Sequence, residues 1–343
     1  MGSTGAVDYE TVFDWRNMHW RPPPPPAEWR SRSLDIWRGR DWSASWRDAK
    51  SETALEKRLY QAIPHWTDVI NGDSPHARRY WANGTLPTRV AAPGGAGRSE
   101  RLACPSNPGA RTPLHASQPE CEAWWPVDTR CVAYVIGVGD LPKGRQDAWG
   151  FPIHAAKRGC IVHAYDPTIA LRQRQQAAAQ QIALKLRKGR QHGNLTFHFA
   201  GLGAGRSRNT INSFGAIDGT VLYTMAELVA ANKADGGWPT ILSIDCEGCE
   251  WAALEQMAAD PRALKILGGV KLLFLDAHLS PTMLPPTPRQ FVVALELLFH
   301  RLGFRLRWLR SVDGFPADQK VADFLGVAGL PAGFCCYEMV LVR

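Results

Sequence analysis

No stretch of the 343 residues reaches eighteen consecutive apolar side chains, so nothing in the sequence can cross a bilayer as a helix. The opening residues Met1-Gly2-Ser3-Thr4-Gly5-Ala6 lack the apolar stretch of an export signal, and a chain beginning there is expected in the cytoplasm. Charge of one sign is nowhere concentrated. The formal +8 divides into 16 Lys+Arg against 13 Asp+Glu over residues 1–120 and 24 against 19 over residues 121–343. A nucleic-acid face needs its basic residues gathered into a patch or stripe, so a nucleic-acid partner is not expected. The densest basic runs, Arg172–Arg174 and Lys185–Arg190, flank a Gln/Ala-rich segment that favours helix and reads as a solvated helix face. The eight cysteines lack the repeated pair spacing of a structural zinc site, and Cys246 and Cys249 form one C-x-x-C without a second pair. They read as small core residues, with a disulfide or redox role as the alternative.

Two regions differ in texture. Residues 1–120 form a Trp/Pro-rich N-terminal extension, partly irregular, with the run Pro22–Pro26, a Pro/Gly-rich tract over 91–97 and a turn-rich one over 104–119. Eight of the 14 tryptophans lie there, which suits docking against something better than disorder. Thr53 and Glu56 form a capping box for a helix over Thr53–Ile63, stopped by Pro64, and Asn83-Gly84-Thr85 reads as a plain turn. From Cys121 to Arg343, short apolar runs alternate with helical stretches, which predicts an α/β domain with a mostly parallel sheet. The strands fall at 131–136, 160–165, 195–200, 240–244, 270–275, 304–309 and 335–342. The helices fall at 146–158, 168–188, 225–233, 250–259 and 287–302. With no helix between them, the last two strands can pair antiparallel at one sheet edge.

Chemistry gathers at the predicted strand ends. The first strand runs into Gly137-Val138-Gly139, where the backbone can approach a ligand closely. The third glycine of a dinucleotide fingerprint is missing. Asp166, 27 residues past Gly139, ends the second strand; it can accept hydrogen bonds from ribose hydroxyls or cap the following helix. Ile244-Asp245-Cys246-Glu247-Gly248-Cys249-Glu250 sets Asp245 and Glu247 on one face if the backbone stays extended, and Glu250 suits the positive end of a helix. Asp276 and His278 stand two apart at the end of the next strand, where His278 or Glu247 could serve as a general base. No metal is assigned. As an alternative, Asp245, Glu247, Asp276 and His278 could hold a divalent ion.

The segment Ser243-Ile244-Asp245-Cys246-Glu247-Gly248-Cys249-Glu250-Trp251 resembles the K-I-D-x-E-G-x-E-W signature of a methyltransferase-like family related to the FkbM-type methyltransferases. The resemblance extends to Gly137-Val138-Gly139, His163-Ala164-Tyr165-Asp166-Pro167-Thr168, Gly201-Leu202-Gly203 and His278-Leu279. It covers residues 121–343. It implies a Rossmann-like methyltransferase fold of seven strands with an antiparallel last strand. It further implies S-adenosylmethionine held at Gly137, Gly139 and Asp166, with Asp245 and Glu247 facing the methyl-transfer site; on that reading Asp245 also contacts the cofactor, aiming its methyl at the cleft, and His278 joins Asp245 and Glu247 as a catalytic candidate. The acceptor it suggests is a small-molecule hydroxyl, a protein or lipid acceptor being the alternative. Ser243 stands where the signature has Lys, which leaves open a catalytically silent binding or scaffold protein. A nicotinamide-dependent oxidoreductase on the same fold class is a further alternative.

Overall fold

The computed structural model describes Trp125 and residues 130–139, 147–168, 171–188, 193–205, 211–212, 215–216, 221–232, 237–278, 286, 288–312 and 336–343. The expected helix at Thr53–Ile63, the eight N-terminal tryptophans, the turn at Asn83 and the loop over 140–146 lie outside these residues.

Seven strands build the sheet: β1 (Val132–Ile136), β2 (Ile161–Tyr165), β3 (Asn194–His198), β4 (Ile241–Ile244), β5 (Leu272–His278), β6 (Arg305–Val312) and β7 (Cys336–Val342). Their order is β3-β2-β1-β4-β5-β7-β6. Pairing is parallel from β3 through β5; β7 then runs antiparallel to both β5 and β6. The final strand is the one reversed strand of the sheet, as expected from the sequence, and it inserts between β5 and β6, which was not expected.

Both faces of β1 are buried, so its run Val-Ala-Tyr-Val-Ile is apolar throughout instead of alternating. Helices α1 (Asp147–Lys157) and α2 (Arg172–Lys188) cover one face, where Trp149, Phe151, Ala155, Ala178 and Leu186 pack against Ala133, Val135 and Phe274. Helices α3 (Met225–Ala231), α4 (Cys249–Ala259), α5 (Pro261–Leu267) and α6 (Pro288–Glu296), the last prolonged by a π-turn at Leu297–Arg301, cover the other. Helix α2 is the Gln/Ala-rich segment. It exposes Arg172, Arg174, Lys185, Arg187 and Lys188 and buries Gln175, Ala178, Ala179 and Leu186.

Three expectations are corrected. Helix α5 had no counterpart in the predicted pattern; Asp260 caps it by accepting from the Arg262 N–H at 2.9 Å, with Pro261 in its first turn. Strand β5 extends to His278, beyond the expected end at Leu275, because β7 supplies ladder partners through Cys336↔His278. The cysteines with described side chains are paired instead of being isolated core residues: Cys131 with Cys160, and Cys246 with Cys249. Parallel register sets Val132 opposite Ile161, which brings the preceding cysteines to a Cα separation of 4.6 Å. Among the described residues no helix is long and apolar enough to cross a membrane.

Candidate functional site

The strand order reverses at β1: β2 and β3 lie on one side, β4 and β5 on the other. Open α/β sheets bind ligands in the crevice at the carboxyl ends of such strands, and the residues singled out by sequence converge there. On leaving β1 the chain turns through Gly137 (φ 80°) and Gly139 (φ 57°). Gly137 has no room for a side chain, because a Cβ there would lie 1.6 Å from the carbonyl oxygen of Asp245. That clash shows how closely the β1 loop abuts the end of β4, where the Asp245 N–H also donates to the Ile136 carbonyl at 2.9 Å.

Asp166 sits beneath the loop, only 4% exposed. Its Oδ2 accepts from the N–H groups of Val138 (3.2 Å) and Gly139 (2.9 Å), and its Oδ1 accepts from the Thr168 N–H (2.9 Å). In this arrangement the carboxylate pins the glycine loop and closes a local turn; the regular helix begins only at Arg172. Gln175 supports the loop from α2, its Nε2 donating to the Gly139 carbonyl at 3.0 Å. Sequence reading missed Gln175 because its neighbours Arg174 and Gln176 belong to a polar, exposed face; only its complete burial sets it apart.

Across the crevice, β4 ends at Ile244 and the chain passes through Asp245 to Glu247 (φ 58°) and Gly248 (φ 104°) before α4 begins. The backbone is therefore not extended across Asp245 and Glu247, contrary to the condition under which they would share a strand face. Two successive left-handed residues turn the chain so that both carboxylates still reach one partner. His278 Nε2 lies 3.7 Å from Asp245 Oδ1 and 3.6 Å from Glu247 Oε2. The turn is closed covalently by the Cys246–Cys249 disulfide.

Glu250 was read as a helix-dipole residue, and it does lie in the first turn of α4. Its larger role is apparent only in three dimensions. Fully buried, its carboxylate accepts from the His278 ring Nδ1 (3.0 Å), the His278 backbone N–H (2.8 Å) and the Gly248 N–H (3.0 Å). The Trp251 indole N–H donates to the His278 carbonyl at 2.6 Å and fixes the same residue from its other side. His278 is thus held at ring and backbone, with Nε2 directed at Asp245 and Glu247.

The electrostatics follow from this packing. Burial opposes the charged imidazole, but the Glu250 carboxylate outweighs it and, with Asp245 and Glu247, raises the His278 pKa from 6.5 to about 10. Near neutral pH the metal-free ring carries its proton. Asp276 lies two residues earlier on β5, opposite Glu338 of β7. Burial pushes its carboxyl well above the ordinary carboxylate range, and the negative charges of Asp245 and Glu338 add to the effect.

The sheet order defines a Rossmann-like α/β fold: seven strands, mostly parallel, with a reversed last strand and a crevice at the β1 switch point. Comparison with protein-family models finds no match, and comparison with curated proteins finds none. Among solved structures the chain is similar to the methyltransferase FkbM from Methylobacillus flagellatus KT. The two share 13% identity at a TM-score of 0.36, over 87% of this chain and 60% of that one. It is also similar to magnesium protoporphyrin IX methyltransferase from Synechocystis PCC 6803, solved with bound S-adenosylmethionine (14% identity, TM-score 0.29, 62% of this chain and 70% of that one). A third is an S-adenosylmethionine-dependent methyltransferase from Methanosarcina mazei (10% identity, TM-score 0.30, 64% and 95%). The chain thus spans 60% of the length of the first of these.

Proposed function

We propose that the protein is an S-adenosylmethionine-dependent methyltransferase acting on a hydroxyl or other small-molecule acceptor. The observation that carries this reading is the direct abutment of a pinned glycine loop on a carboxylate-rich pocket at the switch point, through Gly137 and Asp245. The donor set fits the cofactor. Backbone and carboxylate on the β1–β2 side suit a nucleoside, while Asp245 and Glu247 suit the positive sulfonium and ammonium groups. The Gly137–Gly139 loop, fixed from beneath by Asp166, would hold the nucleoside portion, and Asp245 the charged end. Bound there, the cofactor supplies a methyl group already activated on sulfur, so orientation by the protein contributes most of the remaining acceleration.

A hydroxyl acceptor must also lose a proton. His278 retains its own proton at neutral pH, so that role passes to Glu247, the other general-base candidate, with the imidazolium orienting its carboxylate. The carboxylate-rich pocket is also the feature that argues against a nicotinamide cofactor, whose pyrophosphate it would repel.

Calorimetric titration of the full chain with S-adenosylhomocysteine and, separately, with NAD tests the reading. Binding of the former and not the latter is expected. It should weaken about tenfold or more in Asp166→Asn, which places a donor amide against a backbone N–H, the cost of an unmade buried hydrogen bond. A folded protein that binds neither compound would return the chain to the scaffold alternative.

A further inference from the structure

The arrangement around His278 holds more than an ion pair requires. Three ligand-type atoms, Asp245 Oδ1, Glu247 Oε2 and His278 Nε2, face one another from the β4–α4 turn and the end of β5, all within 4.8 Å of one another. The Nε2 separations of 3.6 and 3.7 Å exceed hydrogen-bonding distance.

A second observation is how the histidine itself is held. The imidazole is 6% exposed and its Nδ1 is committed to Glu250. Its Nε2 faces the two carboxylates, 3.7 Å from Asp245 Oδ1 and 3.6 Å from Glu247 Oε2. A histidine whose Nδ1–H is held by a buried carboxylate, leaving Nε2 directed at further oxygen ligands, has the outer-shell arrangement that orients metal-bound imidazoles. Glu250 fills that outer position and is itself fixed by the Gly248 and His278 N–H groups.

We propose that Asp245, Glu247 and His278 form a binding site for a divalent cation of the Mn2+ type, with Glu250 as the positioning carboxylate. Two carboxylate oxygens and one imidazole nitrogen suit a first-row divalent ion better than Ca2+ or Mg2+, which take oxygen ligands almost entirely. On binding, the ion replaces the proton on Nε2, and that proton leaves to solvent. Three protein ligands leave coordination positions toward the crevice. There the ion would polarise an acceptor oxygen so that it loses its proton more readily, and it would take over that task from Glu247, whose carboxylate is no longer a free base once it ligates the ion. That last role rests on the methyltransferase reading; the cation site does not.

The test is titration of the chelator-treated full chain with Mn2+, following the resonance of the free ion, alongside the S-adenosylhomocysteine titration. One Mn2+ per chain is expected. Glu247→Gln, at a half-buried side chain, and His278→Gln should each weaken binding about 100-fold. Glu250→Gln, at the outer position, should weaken it about 10- to 100-fold. Circular dichroism verifies the fold of each variant, and Asp245→Asn replaces His278→Gln if the latter does not fold. Absence of saturable Mn2+ binding overturns the site, as does binding that survives in folded Glu247→Gln. Because cofactor binding is read separately, loss of one reading leaves the other standing.

Discussion

His278 shows how far one side chain's behaviour is set by its neighbours. Its ordinary pKa of 6.5 would make it a neutral-pH base, yet contact with Glu250, Asp245 and Glu247 moves it to about 10. A raised histidine pKa stabilises the folded state fully below pH 6.5, where the unfolded chain is also protonated. As pH rises toward about 10 the unfolded chain releases the proton first, and the contribution shrinks until it is lost. In chelator-containing buffer the urea midpoint should therefore fall between pH 6.5 and 9.5 more steeply for the native protein than for His278→Gln. Equal slopes would show that the ring does not hold its proton in the fold. Asp276, whose carboxyl is also raised, acts in the same direction, and the His278 charge, which lowers it, links the two titrations. The histidine was legible in the sequence as a site residue. Its protonation was not, because the decisive carboxylate, Glu250, stands 28 positions away and was accounted for by its place in a helix.

At the level of elements, periodicity locates helices and strands well where an apolar face must be buried, and poorly where ends depend on partners. The run Val132–Ile136 was recognisable because a central parallel strand is apolar on both faces. The end of β5 was not, because Asp276 and His278 look like loop residues until β7 pairs with them. Local caps are the clearest sequence-encoded boundaries. Thr224 and Glu227 form a reciprocal capping box at α3, Glu227 Oε2 accepting from the Thr224 N–H at 2.8 Å and Thr224 Oγ1 accepting from the Glu227 N–H at 3.3 Å. Thr224→Ala should lower the unfolding free energy by about 1 kcal/mol in urea titration. A loss below a few tenths would mean that packing of Met225, Leu228 and Val229 alone sets the start of the helix.

Across the whole molecule, the sheet order decides which residues meet. The Cys131–Cys160 bond joins the chain just before β1 to the chain just before β2, 29 positions apart, at the end of the sheet opposite the crevice. Closing a loop of that size restricts the unfolded chain by about 3.5 kcal/mol. The Cys131→Ser/Cys160→Ser pair should therefore unfold about that much more easily than the native chain under oxidising conditions. Its cofactor affinity should be unchanged, and dithiothreitol should remove most of the difference. A stability equal to the native protein's in oxidising buffer would show that the bond does not form in solution.

The amino-acid sequence by itself determined the α/β class, the seven core strands, the glycine turn after β1 and the acidic residues near strand ends. Each follows from rules of short range: apolar runs must be buried, glycine tolerates left-handed backbone, and capping side chains act within a few residues. Only the tertiary structure decided that β7 inserts between β5 and β6, that Asp166 pins the glycine loop, and that Glu250 anchors His278 against Asp245 and Glu247. Those contacts join residues from about 27 to more than 60 positions apart. Their energies depend on burial and mutual distance, quantities that exist only once the sheet has assembled.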